Sequence, residues 1–318
     1  MNTFTRIGIV FSLLMTGTLL HADDMILVVG AGGTDEYTKL FSDWADQWKV
    51  AAADADIEYQ EIGRGEKKDY ELLKSAIDEN NDESAQPLWL VLLGHGTFDR
   101  NIAKFNLRGK DVESKELQKW LEDCKRPLIV INGFSCSGAF LQPLHKENRV
   151  VISATKSGAE LNFSRFGGYL AESLTDMKAD VDHDDQVSLL EAFLLASSKV
   201  NAFYESDARL VTEHALLEDN ADGKGISADF FVGIRAEMKA KGGAALDGRG
   251  AHRYILKASE DAVKLSQEQT IERDRIESAI EQLRTRKSTM SVDDYYAELE
   301  SLAVQMAELY QSSEVKQP

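Results

Sequence analysis

Two glycine-flanked segments carry the side chains best suited to chemistry: Gly94-His95-Gly96 and Gly133-Phe134-Ser135-Cys136-Ser137-Gly138, with His95 and Cys136 41 residues apart. A thiol attacks a carbonyl as its thiolate, so a cysteine hydrolase needs a nearby imidazole to take the proton and later return it to the leaving amine. Cys136 is the candidate nucleophile, and His95, the one histidine that closes an apolar strand, is the candidate base. The glycines allow close approach of a substrate backbone and leave amide N–H groups to bind an oxyanion, for which Gly96 and Cys136 are the natural donors. A rival use of the same stretch is a degenerate nucleophile elbow, with Ser135 attacking esters and a later histidine such as His214 as base. The closing glycine of Gly-x-Ser-x-Gly is missing.

Both segments follow continuous apolar runs, Leu88 to Leu93 (LWLVLL) and Leu128 to Ile131, the pattern of strands covered on both faces. A similar run, Met25 to Gly30, ends at Ala31-Gly32-Gly33, after which Thr34 is placed to cap a helix carrying Leu40, Phe41, Trp44 and Trp48. Ile57 to Ile62 and Val150 to Ser153 read as further strands, and Tyr70 to Ile77 and Glu116 to Cys124 as helices. Strands alternating with amphipathic helices predict an α/β domain with a mainly parallel sheet flanked by helices. Functional groups then gather at the carboxyl ends of the strands, where adjacent strands would bring His95 and Cys136 into one crevice. The stretch from Ala103 to Val112 reads as a small inserted hairpin turning at Arg108-Gly109-Lys110.

The pairing of LWLVLLGHG with LIVINGFSCSG resembles the clan CD cysteine peptidases, which comprise legumains, caspases, metacaspases and gingipains. The resemblance covers about residues 25–154 and is nearest to the legumain-like members, where the nucleophile also precedes Ser-Gly, matched here by Cys136-Ser137-Gly138. It implies a caspase-like fold, His95 as base, Cys136 as nucleophile and a peptide or protein as substrate. Where legumains have Glu-Ala before the nucleophile, this chain has Phe134-Ser135, so the acid that helps bind an asparagine side chain is absent.

Asp180-Val-Asp182-His-Asp184-Asp-Gln186-Val-Ser188-Leu-Leu-Glu191 puts oxygen donors at positions 1, 3, 5, 7, 9 and 12 of an EF-hand-type loop. Calcium is the ion such donors suit: three aspartates, the Gln186 backbone carbonyl, Ser188 directly or through water, and a bidentate Glu191. Position 6, usually glycine, is Asp185, which must then adopt a left-handed conformation. The alternative is a solvated acidic turn in which Ser188 caps the next helix, and both can hold together. A second acidic cluster, Glu218 to Gly223, has too few well-spaced donors for a complete site and reads as a polar turn.

The chain carries a net charge of −18, which argues against a nucleic-acid partner. Residues 1–22, with Arg6, an apolar run from Ile7 to Leu20 and Leu20-His21-Ala22 before Asp23, read as a signal peptide. The run is shorter than the roughly 20 residues a spanning helix needs, so the mature chain is expected to lack a membrane span and to be exported, periplasmic or extracellular. Export favours disulfides, yet Cys124 and Cys136 flank a strand that would hold them too far apart.

Residues 23–255 are read as the catalytic domain and 256–318 as a helical extension. From Leu256 to Tyr310, Ile276, Ile280 and Leu283 mark one helical stripe and Leu299, Leu302, Met306 and Leu309 another, a helical hairpin that could also receive a protein partner. The leading expectation is an exported, calcium-binding cysteine endopeptidase without an organic cofactor. Its competitors are an inactive, calcium-stabilised secreted adaptor and a serine esterase using Ser135.

Overall fold

The computed structural model describes residues 23–314 apart from 66, 261 and 264, so the expected signal peptide lies outside the described residues. From the amino end, β1 (Asp24–Val29) is followed by α1 (Asp35–Asp54), β2 (Glu58–Ile62), α2 (Asp69–Glu79) and β3 (Leu88–Gly94). A small sheet of β4 (Gly96–Asp99), β5 (Ile102–Phe105) and β6 (Val112–Glu113) intervenes before α3 (Ser114–Trp120), β7 (Leu128–Phe134), α4 (Gly138–Leu144) and β8 (Arg149–Ser153). Then come α5 (Phe166–Leu174), β9 (Gln186–Ser188), α6 (Leu189–Ser206), β10 (Leu216–Glu218), β11 (Phe231–Val232), β12 (Arg235–Ala236), α7 (Arg249–His252) and β13 (Ile255–Ala258). Two long helices, α8 (Gln267–Arg286) and α9 (Val292–Glu314), complete the described chain.

The central sheet has the order β10-β8-β7-β3-β1-β2, parallel throughout except for the antiparallel edge strand β10. Every residue of β3 and β7 is buried, as their unbroken apolar runs require. Alternate side chains feed two cores. Leu27, Val91 and Ile131 meet Phe41, Trp48, Leu170 and Phe193 of α1, α5 and α6 on one face, while Val28, Leu92 and Val130 meet Leu73, Leu117 and Phe140 of α2, α3 and α4 on the other. The result is the α/β architecture expected, a mainly parallel sheet between helical layers. α1 begins at the anticipated cap, with Thr34 Oγ1 accepting from the Tyr37 N–H at 3.3 Å.

The insertion after β3 is larger than a hairpin over 103–112, because β4 starts directly after His95 and pairs Gly96 with Phe105. Asp69 ties this insertion to the domain. Its fully buried carboxylate accepts from Arg108 Nε at 2.8 Å and Nη2 at 2.6 Å and from the Arg108 backbone N–H at 3.2 Å. Removing one partner of a buried ion pair strands the other, and Arg108 keeps partial solvent access. Asp69→Ala is therefore expected to cost about 2–3 kcal/mol in urea-unfolding stability. A loss under about 1 kcal/mol would mean that the pair does not anchor the insertion.

α8 and α9 form the expected hairpin around a separate core of Ile276, Leu283, Tyr295 and Leu302. Ser291 opens α9, accepting from the Asp294 N–H at 3.1 Å. The chain before this hairpin is strand rather than helix: β13 runs antiparallel to β9, with Leu256 buried in the main core. The helical extension read from 256 onward thus becomes helical at Gln267.

Candidate active site and acidic loops

β3 and β7 are hydrogen-bonded neighbours in parallel register, with Gly94 opposite Phe134, so His95 and the Ser135-Cys136 pair leave the sheet side by side at its carboxyl edge. The chain passes from β1 to β2 on one side and then to β3 on the other. Such a reversal opens a crevice beyond the strand ends. The His95 ring lies among Tyr37, Phe41 and Phe163, with centroids at 4.7, 5.0 and 5.8 Å. Burial lowers its pKa, opposed by a hydrogen bond to the Gly32 backbone, and so favours the neutral imidazole that a general base must present.

Cys136 is fully buried and takes a left-handed backbone, φ 57°. Its Sγ packs on the glycine after His95: a methyl group at Gly96 would come within 2.7 Å of it. Among the described residues no charge offsets the desolvation of this thiol, whose pKa is pushed up to about 12. Among the described residues no hydrogen bond joins Sγ to His95.

Both backbone amides expected to hold an oxyanion donate within the protein. The Gly96 N–H donates to Ser135 Oγ at 3.1 Å, and the Cys136 N–H to the Glu160 carbonyl at 2.7 Å. Residues 155–160 form a strap along Cys136 to Gly138. Thr155 Oγ1 accepts from the Gly138 N–H at 2.9 Å, and the Glu160 carboxylate accepts from the backbone N–H groups of Lys156 and His214 at 2.9 and 3.2 Å. The His214 ring Nδ1 sits 2.5 Å from Glu160 Oε1. Ser135 Oγ is thus engaged with Gly96 and His214 with Glu160, and no hydrogen bond joins the two residues of the esterase reading.

Below pH 9, a thiol whose pKa has moved from 9.0 to about 12 carries about a thousandth of the ordinary thiolate population. Alkylation of Cys136 by iodoacetamide in the resting protein is therefore expected to be slower than that of a free cysteine by about that factor, and to climb tenfold per pH unit up to pH 10. Mass spectrometry of the alkylated peptide reads this directly. Rapid labelling at pH 7 would show that the strap opens freely.

The sequence did not single out Tyr37, Phe163, Glu160 or Glu213 for the site. Glu213, buried behind the strap, accepts from Ser164 Oγ at 2.6 Å and from the Arg165 and Phe166 N–H groups at 2.8 and 3.1 Å. Phe163 five residues after Gly158, and acids either side of the apolar core, carry no local pattern that would mark them. Cys124 and Cys136 are both free thiols.

In the acidic loop, one carboxylate oxygen each from Asp180, Asp182 and Asp184 lie within 4.8 Å of one another. Asp185 has φ 63°, the left-handed conformation that position 6 demands, and its N–H donates to Asp180 Oδ2 at 3.1 Å. Glu191 is buried, accepting from the Val181 N–H at 2.8 Å, the Ser188 N–H at 2.9 Å and Ser188 Oγ at 2.8 Å. Ser188 completes a capping box with Glu191 at the start of α6, so its hydroxyl is committed to the helix. Gln186 opens β9, with its N–H on Asp184 Oδ1 at 2.9 Å. Desolvation and neighbouring carboxylates raise the Asp184 pKa to about 6. Hard oxygen donors crowded in this way suit a divalent cation.

No family model and no curated protein matches this chain. Among solved structures it is similar to the initiator caspase Dronc of Drosophila, with a TM-score of 0.44 and 11% identity over 65% of this chain and 83% of that one. Caspase-1 from Spodoptera frugiperda gives a TM-score of 0.42 and 13% identity over 63% and 86%. Raptor of Chaetomium thermophilum gives 0.34 and 12% over 48% and 17%. These are faint likenesses of chain trace, and the chemistry of the site rests on its own residues.

Proposed function

We propose that the protein is an exported cysteine endopeptidase, caspase- or legumain-like, in which Cys136 attacks a peptide carbonyl and His95 moves the proton. The observation that carries this reading is the exit of a glycine-flanked histidine and of a cysteine in a glycine-bounded segment from adjacent parallel strands, with the thiol packed on the glycine after the histidine. In the arrangement described the site is latent. Glu160 and Ser135 occupy the amides of Cys136 and Gly96. For catalysis the strap at 155–160 withdraws, freeing those amides for the oxyanion and exposing Sγ to the neutral imidazole. Loss of the burial that suppresses the thiolate accompanies the same movement.

Calcium belongs to this proposal as a structural or regulatory ion held by Asp180, Asp182, Asp184, the Gln186 carbonyl and Glu191, with Ser188 supporting the loop through its cap. No helix among the described residues is long and apolar enough to cross a membrane. The place proposed, periplasmic or extracellular after removal of residues 1–22, rests on the sequence of that segment. The closed amides also favour a second reading, a non-hydrolytic adaptor that binds a protein through the hairpin of α8 and α9. The exposed Ile271 and Tyr296 offer that surface apolar contact.

A panel of peptidyl acyloxymethyl ketones differing at P1, applied to the purified protein with calcium or chelator, separates the two. Covalent labelling by at least one probe that disappears in Cys136→Ala is the expected result. A folded protein unlabelled in every condition would leave the adaptor.

A further inference from the structure

The cluster at Glu218 to Gly223, incomplete in the sequence, gains its missing acid from 24 residues further on. Asp247 Oδ1 accepts from the Asp219 N–H at 3.1 Å, while Glu218 Oε1 accepts from the Gly223 N–H at 3.2 Å, so the two carboxylates are pinned to opposite ends of one turn. Glu218 is 0% and Asp247 4% exposed, and the second oxygen of each, Glu218 Oε2 and Asp247 Oδ2, is buried without a hydrogen-bond partner among the described residues. A buried carboxylate oxygen left unpaired is costly unless a cation meets it.

The turn shares much of the hydrogen-bond pattern of residues 180–191, differing at position 5, whose N–H meets Asp180 Oδ1 at 3.2 Å in the first loop and Asn220 Oδ1 at 3.0 Å in the second. The N–H of position 6 returns to the carboxylate of position 1 in both, Asp185 to Asp180 at 3.1 Å and Gly223 to Glu218 at 3.2 Å. Position 6 is left-handed in both, φ 63° at Asp185 and φ 72° at Gly223. The N–H of position 7 meets the carboxylate of position 5, Gln186 on Asp184 at 2.9 Å and Lys224 on Asp222 at 2.8 Å. The N–H of position 2 meets the distant acid, Val181 on Glu191 at 2.8 Å and Asp219 on Asp247 at 3.1 Å. Asp247 therefore stands where Glu191 stands in the first loop.

We infer that Glu218, Asn220, Asp222 and Asp247 form a second calcium site, with the Lys224 carbonyl at position 7 and water as further donors. It goes beyond the loop at 180–191 and does not depend on it. All its donors are hard oxygens, as calcium prefers, and its acids come from the edge strand β10, the turn that follows it and the connection leading to α7. An ion here would clamp that connection to the sheet edge. Asp219 already reaches the same segment, its Oδ1 accepting from the Gly248 N–H at 2.9 Å and its Oδ2 from the Ala251 N–H at 2.8 Å.

Equilibrium dialysis of the purified protein against calcium, with circular dichroism to confirm folding, counts the ions. Two are expected for the wild type, with one lost or weakened at least tenfold in Asp247→Asn and likewise in Glu218→Gln, and the other lost in Asp182→Asn. Both substitutions replace a buried carboxylate by its neutral isostere, so a folding failure in one leaves the other to decide. Unchanged number and affinity in both would overturn the inference. A single wild-type ion lost in Asp182→Asn but kept in Asp247→Asn would also overturn it. The reverse pattern would uphold it and remove the loop at 180–191 instead.

Discussion

Cys136→Ala is expected to lower peptide hydrolysis by about 10⁴-fold or more, to the level of the uncatalysed background retained by binding alone. The side chain loses one buried sulfur atom and keeps its Cβ, so the fold should lose only about 1 kcal/mol. His95→Ala is expected to fall nearly as far, because nucleophile and base act as a unit and either loss stops proton transfer. Active-site titration before kinetics is the necessary control, since a latent population would mimic a slow enzyme. Turnover that survives Cys136→Ala but is lost in Ser135→Ala would transfer the chemistry to the hydroxyl and make the esterase reading correct.

Glu191→Ala should be the most damaging single change in the acidic loop, destabilising the metal-free protein by about 2–3 kcal/mol. The carboxylate satisfies the buried Ser188 N–H, the part-buried Val181 N–H and the Ser188 hydroxyl and closes the capping box of α6, contributions of about 1 kcal/mol each. Relief of repulsion with Asp182 and Asp184, both of whose pKa values are raised partly by Glu191, offsets some of the loss. Calcium should raise the Tm of the wild type, and this rise should shrink in Glu191→Ala to whatever the site at Glu218 and Asp247 supplies. Urea unfolding with and without calcium measures both effects. A calcium-induced rise as large in Glu191→Ala as in the wild type would show that the loop is not a metal site.

Much of the architecture was legible because its signals are local. LWLVLL and LIVI announce strands buried on both faces, Thr34 caps the helix it was expected to cap, and the donor spacing at 180–191 led to the left-handed Asp185. The short strands β9, β10 and β13 gave no such signal, because three or four residues cannot display a period and their pairing is decided by the core they land on. Nor could spacing reveal that the Cys136 amide is held by the Glu160 carbonyl, or that Asp247 completes the turn begun by Glu218. Those contacts join distant segments through loop closure, and nothing in either segment alone encodes the partner.

The pairing of β13 with β9 makes the C-terminal hairpin a lever on the first acidic loop. A pull on α8 and α9 passes along the chain into Ile255–Ala258 and is resisted by a ladder with Gln186–Ser188, by the 2.7 Å ion pair of Lys257 with Asp54 and by the Ser259 N–H on the Asp185 carbonyl at 2.9 Å. Residues 185 and 186 thus bear the load before the central sheet does. Tension at the carboxyl end would unseat this acidic loop while leaving β3 and β7 intact, which makes the loop the mechanical fuse of the molecule.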